Sequence, residues 1–445
     1  MHVHHSSVSA EERAKAETAF SQSTQTCVIC TSTMELGIDI GDLDLVVQYG
    51  TPRSVASFLQ RLGRAGRRNK NTKMTFILQN TRDLLITVAT IEAAMRHEIE
   101  PLTAPVYAYH VMIQQLFLLL KNRCSGISQK TIIVSLKSLS PFARIPSATI
   151  ARMLQYLEEQ GYMTRDGDLY FIGLRAEQEF RKSNWITLIS VIHDTGEYLA
   201  VLPDGTIVGT LDPRFVRREP NKIFSFTGKN WRLLFLDDVH KRALVEQTSA
   251  SCNMTKQPFW SDNGLQEMDA SPTVCKAVCQ LLARGKTFLP LPRNQQIMLD
   301  DLIRILPDDF MPGTIHVRTE SDVASRSVIV ATFLGTRVNM VLAHLLKRRL
   351  FGGKYRMHYD QFAIRIFGWE SPNAAEHVGD LLRELSQMNA SMLTDEMPEL
   401  PNTMWKFGKM LPREILSLMA INEYYRLDFV LARIASVKVR ENTYR

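Results

Sequence analysis

"TCVICTSTMELGIDIGDLDLVVQYG", residues 26–50, decides how the chain is read. Residues 26–31 are a β-branched and apolar run and residues 43–49 are a second, so the stretch predicts strand, tight loop, strand. Between the runs lie Thr31, Ser32, Thr33, Gly37, Asp39 and Gly41, small polar residues and glycines at a strand end. An open parallel sheet places its ligand site there.

Shortly after comes "FLQRLGRAGRR", residues 58–68, with four arginines inside eight positions. A solvated basic helix end is one account of it. The spacing supports another. Gln60, Arg61, Gly63, Arg64, Gly66 and Arg67 form Q-R-x-G-R-x-G-R. Arg64 and Arg67, three apart, would leave one face of a helical turn. Glycines at 63 and 66 let a bulky ligand approach the backbone. Guanidinium forks suit phosphate oxygens and never deprotonate. The stretch is therefore shaped to hold a polyphosphate, with two cations facing the charge that develops in phosphoryl transfer.

Together the two stretches resemble motifs V and VI of superfamily 2 helicases. Residues 4–17 resemble the strand-to-helix segment just upstream in the same half, with Ser9 and Glu12 as a capping box. The resemblance implies that Gly37 and Asp39 bind the nucleotide, Asp39 at the ribose. It implies Gln60, Arg64 and Arg67 as catalytic residues facing the γ-phosphate, and Thr31 and Ser32 on the nucleic-acid backbone. A helicase also needs a G-x-x-x-x-G-K-[ST] loop and an acidic run that positions Mg²⁺. The nearest match to the loop, "QLLARGKTF" at 280–288, has Gln280 in place of the first glycine and follows a helix; no D-E-x-[HD] run occurs. ATP and Mg²⁺ are thus expected only with the missing first helicase domain. The chain reads as the C-terminal part of a longer enzyme, its partner half upstream or on a separate N-terminal helicase chain.

The 445 residues are 45% hydrophobic, enough for about three cored domains. A formal charge of +7 suits a polyanionic partner. No uncharged apolar run approaches ~18 residues and no signal peptide opens the chain, so no membrane partner and a cytoplasmic location are expected. Six cysteines in this length do not suggest a disulfide framework. Cys27 and Cys30 make a C-x-x-C inside an apolar strand, without a second pair at ligand spacing, so no metal site is expected.

Residues 81–97 predict a closing helix and "EIEPLTAP" at 98–105 a linker. Helices follow at 107–121 and 128–136, then a third capped by Ser147, with Ile150, Met153, Leu154 and Leu157 at i, i+3, i+4, i+7. Gly161 ends it, and Asp166–Gly167 suits a type I′ turn in a hairpin over 162–172. Three helices and a hairpin describe a winged helix. Its third helix has Arg152 alone as a base, so packing against the second motor half is its expected main role. From 186 to 248 short strands predict a small barrel or sandwich. Beyond 270, helices at about 271–284, 293–305, 336–350 and 372–388 alternate with strands at 327–334 and 362–367.

This order, with "GKNWRLL", "RALVE", "PFW", "FLGTRVNMVLAHLLKRR" (333–349) and "KFGKMLPREIL" (406–416), resembles the Large helicase-related (Lhr) family. The expected fold is α/β and α+β multidomain. It has a partial RecA-like helicase C-terminal domain at 1–97, a winged helix at 98–180, a small β-barrel at 181–270 and a mixed α/β region at 271–445. The family implies 3′-to-5′ movement on single-stranded DNA, unwinding that includes DNA/RNA hybrids, and a role in DNA repair. It also implies that Trp260 stacks on a base, and an aromatic on a proline-stiffened arm beside Lys256 is itself a usual single-strand platform; a barrel lid packed on Phe259 is the alternative. Trp231 reads as core and Trp185 as either core or surface. Lys347, Arg348 and Arg349 are phosphate contacts or a helix-end cluster. Two other readings stay open: a motorless single-stranded nucleic-acid-binding module, and a non-functional truncated remnant.

Overall fold

The computed structural model describes residues 1–4, 10–22, 26–31, 34–35, 43–65, 72–102, 107–182, 184–191, 198–211, 223–226, 229–237, 240–249, 270–304, 306, 310–322, 325–350, 355–368, 371, 373–400 and 402–442. The chain opens with β1 (His2–His4), α1 (Ala10–Gln22) and β2 (Val28–Cys30), β1 and β2 being parallel. The unit repeats as β3 (Val46–Tyr49), α2 (Val55–Leu62) and β4 (Met74–Ile77), again with a parallel pair. Parallel neighbours require a crossover, and each helix supplies one. Both strands read from 26–50 are present but shorter than their apolar runs. Helix α2 starts at Ser54, whose side chain accepts from the Ser57 N–H, and stops at Gly63. Arg64 therefore lies in a turn beyond the helix, which corrects the helical placement expected for it. The next residue, Ala65, pairs in a parallel bridge with Leu43, and that pairing draws the chain out of the helical path. Ser9 lies outside the described residues. Helix α3 (Thr81–Met95) is capped by Asn80, which accepts from the Asp83 N–H.

The segment expected to be a linker begins with a clasp. Glu100 accepts from the Val55 and Ala56 N–H groups, both at 2.9 Å, and from the Ser271 hydroxyl at 2.6 Å. A carboxylate at a helix N-terminus satisfies donors the helix itself leaves open.

The winged helix comprises α4 (Tyr109–Lys121), β5 (Ile127–Ser128), α5 (Gln129–Lys137), α6 (Ser147–Glu159), β6 (Met163–Asp166), β7 (Leu169–Ile172) and α7 (Leu174–Arg181). Its sheet runs β5-β7-β6. The predicted stripe of Ile150, Met153, Leu154 and Leu157 is buried, against residues including Met112, Ile113 and Phe117 of α4. Two local expectations shift by one residue. Ser147 is the first helical residue, with Pro146 before it and no side-chain cap. Asp166 pairs with Leu169, so the turn is Gly167–Asp168, with Gly167 at φ 58°. The domain also takes in a segment from far along the chain. Met410, Leu411, Ile415 and Met419 complete its core, and Arg152 donates to Glu414 at 2.7 Å. These contacts join residues some 260 apart in sequence (|i−j| of 262 for Arg152 and Glu414), beyond what local patterning reveals. Trp185, at φ 64°, packs on Phe180 with 5.5 Å between ring centroids, and the Lys121 ammonium sits 4.8 Å from its ring.

Gly173 is the tight point of this domain. A Cβ there would lie 2.5 Å from the Gly161 carbonyl oxygen and 2.8 Å from the Met163 nitrogen, both main chain. Gly173→Ala is expected to cost about 1–3 kcal/mol by overpacking, measured as reduced hydrogen-exchange protection across 162–173; unchanged protection would refute it.

Strands β8 (Tyr198–Val201), β9 (Ile207–Leu211), β10 (Ile223–Phe226), β11 (Lys229–Asp237) and β12 (Arg242–Gln247) form one sheet in the order β10-β11-β12-β8-β9. Its core includes Tyr198, Leu211, Phe224, Trp231 and Val245. The expected barrel is not closed among the described residues, where β10 and β9 remain edges. A parallel β12–β8 pair and a register shift between Leu233 and Phe235 interrupt the antiparallel order of the sheet.

Helices α8 (Pro272–Arg284) and α9 (Arg293–Arg304) then return to the first unit. Val274, Val278, Leu281 and Leu299 share a core with Val55, Leu85, Val88 and Ala89. The remaining chain builds β13 (Thr314–Asp322), β14 (Ser325–Ala331), α10 (Thr336–Arg349), β15 (Arg356–Tyr359), β16 (Ala363–Phe367), α11 (Ala374–Ser386), α12 (Ala390–Leu393), α13 (Arg413–Met419), α14 (Leu427–Ala435) and β17 (Lys438–Asn442). The sheet order is β15-β16-β14-β13-β17. One face, with Val317, Val328, Val330, Ile364 and Ile366, is covered by α10, α11 and α14 through residues such as Leu345, Leu382 and Ile434. Arg349 donates to the Glu396 carboxylate at 2.8 Å and Arg348 to its main-chain oxygen at 2.7 Å. Those two arginines therefore serve packing at the helix end.

Candidate nucleotide and nucleic-acid interface

Glu35, in the loop after β2, joins the two motif stretches. Arg61 Nε donates to Glu35 Oε1 at 2.7 Å, and both side chains are largely withdrawn from solvent, at 24% and 16% exposure. Arg64 donates to the main-chain oxygen of the same residue from Nε at 3.1 Å and from Nη2 at 2.6 Å. The Leu43 N–H closes the ring by donating to the Arg64 carbonyl at 3.2 Å. The strand-end loop and the arginine turn thus form one hydrogen-bonded unit.

The two arginines are held differently. Arg61 meets a carboxylate, which offsets its charge. The bonds of Arg64 described above go to a main-chain carbonyl, which orients the fork. A guanidinium has five donors, so this clasp is compatible with a second acceptor such as a phosphate oxygen.

Gln60 is exposed on the last turn of α2. Thr31 is exposed at the end of β2, where its N–H donates to the His4 carbonyl at 3.4 Å. Ser32, Gly37, Asp39, Arg67 and Trp260 lie outside the described residues. The pairing of Glu35 with Arg61 was not expected; its signal was an arginine inside the motif and an acid inside the loop, each without an assigned task. Cys27 and Cys30 are both exposed, and among the described residues no three His, Cys, Asp or Glu side chains gather as a metal set.

The run "GKT" near 286 is engaged in packing. Gly285, at φ 72°, ends α8. The Thr287 hydroxyl and the Phe288 N–H donate to Glu92 of α3 at 2.7 and 2.8 Å, and Arg284 pairs with the same carboxylate.

Residues 1–69 match the helicase conserved C-terminal domain. Residues 92–255 match the winged helix domain of Large helicase-related protein. The chain belongs to the Lhr family of superfamily 2 helicases. It is 30% identical over 363 residues to the Lhr helicase/uracil glycosylase of Escherichia coli, a match covering 76% of this chain and 23% of that protein. It is 27% identical over 309 residues to the ATP-dependent helicase Lhr-Core protein 2 of Thermococcus barophilus, covering 67% and 35%. The chain thus spans about a quarter to a third of the length of these curated Lhr relatives. The structure of Mycobacterium smegmatis helicase Lhr bound to ssDNA and AMP-PNP superposes with a TM-score of 0.57 at 19% identity, covering 99% of this chain and 60% of that one. That likeness is one of fold. No described helix is long and apolar enough to cross a membrane.

Proposed function

We infer that this chain supplies the arginine-bearing half and strand-contacting domains of an ATP-dependent 3′-to-5′ DNA helicase acting in DNA repair. The observation that carries the reading is the Glu35 clasp, which ties the motif V-like loop to the motif VI-like turn through both Arg61 and Arg64. In this reading Arg64 and Arg67, with Gln60, face the γ-phosphate of ATP held by a first helicase domain. Gly37 and Asp39 would line the nucleoside, and Thr31, Ser32 and Trp260 would contact the tracked strand. ATP with Mg²⁺ would supply the phosphoryl-transfer energy; the residues of this chain would bind and orient charge. The boundaries at 97, 180 and 270 are proposed as its working divisions.

The isolated chain is expected to bind single-stranded DNA and to hydrolyse no ATP above background. In a salt titration each phosphate contact adds about 0.7 to the slope of log affinity against log salt. Trp260→Ala should weaken binding by about 1–3 kcal/mol and leave that slope unchanged; unaltered affinity would remove base stacking at this residue. DNA-stimulated ATP turnover by the pure chain would overturn the division of labour. Turnover still absent after a first helicase domain is supplied would favour the motorless binding module.

A further inference from the structure

The second face of the C-terminal sheet is built unlike the first. Alternation along each strand sends one set of side chains into the core and the other set to the opposite side. The register aligns Arg318 of β13 with Ile329 of β14, Arg365 of β16 and His358 of β15. It adds Arg356 opposite Phe367, and Lys438 and Arg440 on β17 beside Thr314 and His316. Five Lys and Arg positions thus share this face with two acidic register positions, 320 and 322. The Glu320 carboxylate is held by Arg318 at 2.7 Å. Arg356 and Arg365 are exposed, and among the described residues neither has an ion-pair partner. The cations stand on four of the five strands, a row of roughly 19 Å at the usual inter-strand spacing.

A cavity of about 200 Å³ opens on the same face, lined by Arg318, Ile329, Ala331 and Arg365 and walled by Phe310, Phe333 and Phe362. Phe310 stacks on His316 at 5.4 Å and meets Phe333 edge-on at 5.6 Å; Phe333 and Phe362 lie 5.3 Å apart. An apolar cavity of about 150 Å³ accepts a benzene ring. This one therefore has room for a single planar heterocycle, with Arg318 and the exposed Arg365 among its lining residues.

We propose that this face is a second single-stranded nucleic-acid site, in which the row of cations holds successive phosphates and one base enters the cavity beside Phe310. It rests on the nucleic-acid reading given above and adds residues to which that reading gave no role. Apolar walls and lining cations together suit a nucleotide unit, since aromatic stacking tolerates any base and arginine forks take phosphate oxygens.

The test uses the full chain, a fluorescein-labelled oligothymidylate and anisotropy over a range of salt. The double charge reversal Arg356→Glu and Arg365→Glu, on exposed positions that leave the core intact, should weaken binding at least tenfold. It should also lower the salt slope by about 1.4, the loss of two phosphate contacts. Phe310→Leu should weaken binding by about tenfold with the slope unchanged. Wild-type affinity and slope in both variants would overturn this site while leaving the function proposed above standing. Absence of binding by the wild-type chain at low salt would overturn both. Adenosine monophosphate binding that Phe310→Leu abolishes, with oligonucleotide affinity unaltered, would assign the cavity to a free nucleotide and overturn the strand site.

Discussion

Glu92→Ala is expected to destabilise the protein by about 3–5 kcal/mol, the usual cost of removing one partner of a buried ion pair. The Glu92 side chain is 2% exposed and joins α3 to the end of α8 through Arg284, the Thr287 hydroxyl and the Phe288 N–H. Removing it strands a largely covered guanidinium and a main-chain donor together. Burial by itself would raise this carboxyl, but the Phe288 N–H, the Arg284 fork and the Thr287 hydroxyl outweigh burial and hold it below the usual carboxylate range. A depressed folded-state pKa gives stability that is complete above the unfolded value and is lost as pH falls through the folded one. Urea unfolding followed by hydrogen exchange on α3 and α8 should therefore show the wild-type advantage over Glu92→Ala above pH 5, shrinking toward acid pH. An advantage constant down to strongly acid pH would mean that packing, not charge, accounts for the seam. Glu92→Leu separates the two further, since it restores volume without charge.

The sequence exposed what is local and repetitive. The stripe from Ile150 to Leu157 is helical by spacing alone, and the helices at 272–284, 293–304, 336–349 and 374–386 begin and end within a few residues of their predicted limits. The arginine motif was legible because residue type and spacing answer directly to phosphate chemistry. What was missed needs distant partners. Nothing near Arg152 announces Glu414, and "EIEPLTAP" reads as a linker until Glu100 is seen at the start of α2. Strands β13, β15 and β17 escaped because each holds few apolar residues, Ile315 and Val317 in β13 and Val439 alone in β17, and none forms an apolar run. Their meaning depends on a register that brings Arg318 beside Arg365 through β14. The barrel was expected from strand spacing, which fixes the number of strands but not which edges meet. Trp260, the residue whose role rested most on resemblance, lies outside the described residues.

Arg64 and Arg61 lie three residues apart in one motif, and their contacts separate them. In an enzyme completed with a first helicase domain, Arg64→Ala should lower ATP turnover by about 10³-fold or more, the range in which arginines act on phosphoryl transfer. Arg64→Lys should rescue little, because an ammonium cannot keep two donors on the Glu35 carbonyl while reaching an anion. Arg61→Ala should behave differently. It leaves the Glu35 carboxylate without its guanidinium and loosens Glu35, two residues before Gly37 in the sequence, so KM for ATP should rise more than turnover falls. Glu35→Gln should repeat the Arg61→Ala pattern and be non-additive with it, as expected for two ends of one contact. Steady-state ATPase with saturating single-stranded DNA measures all four. Collapse of turnover in Arg61→Ala with Arg64→Ala near wild type would exchange their roles. It would then be the cation facing Glu35, and not the one oriented by its carbonyl, that meets the nucleotide.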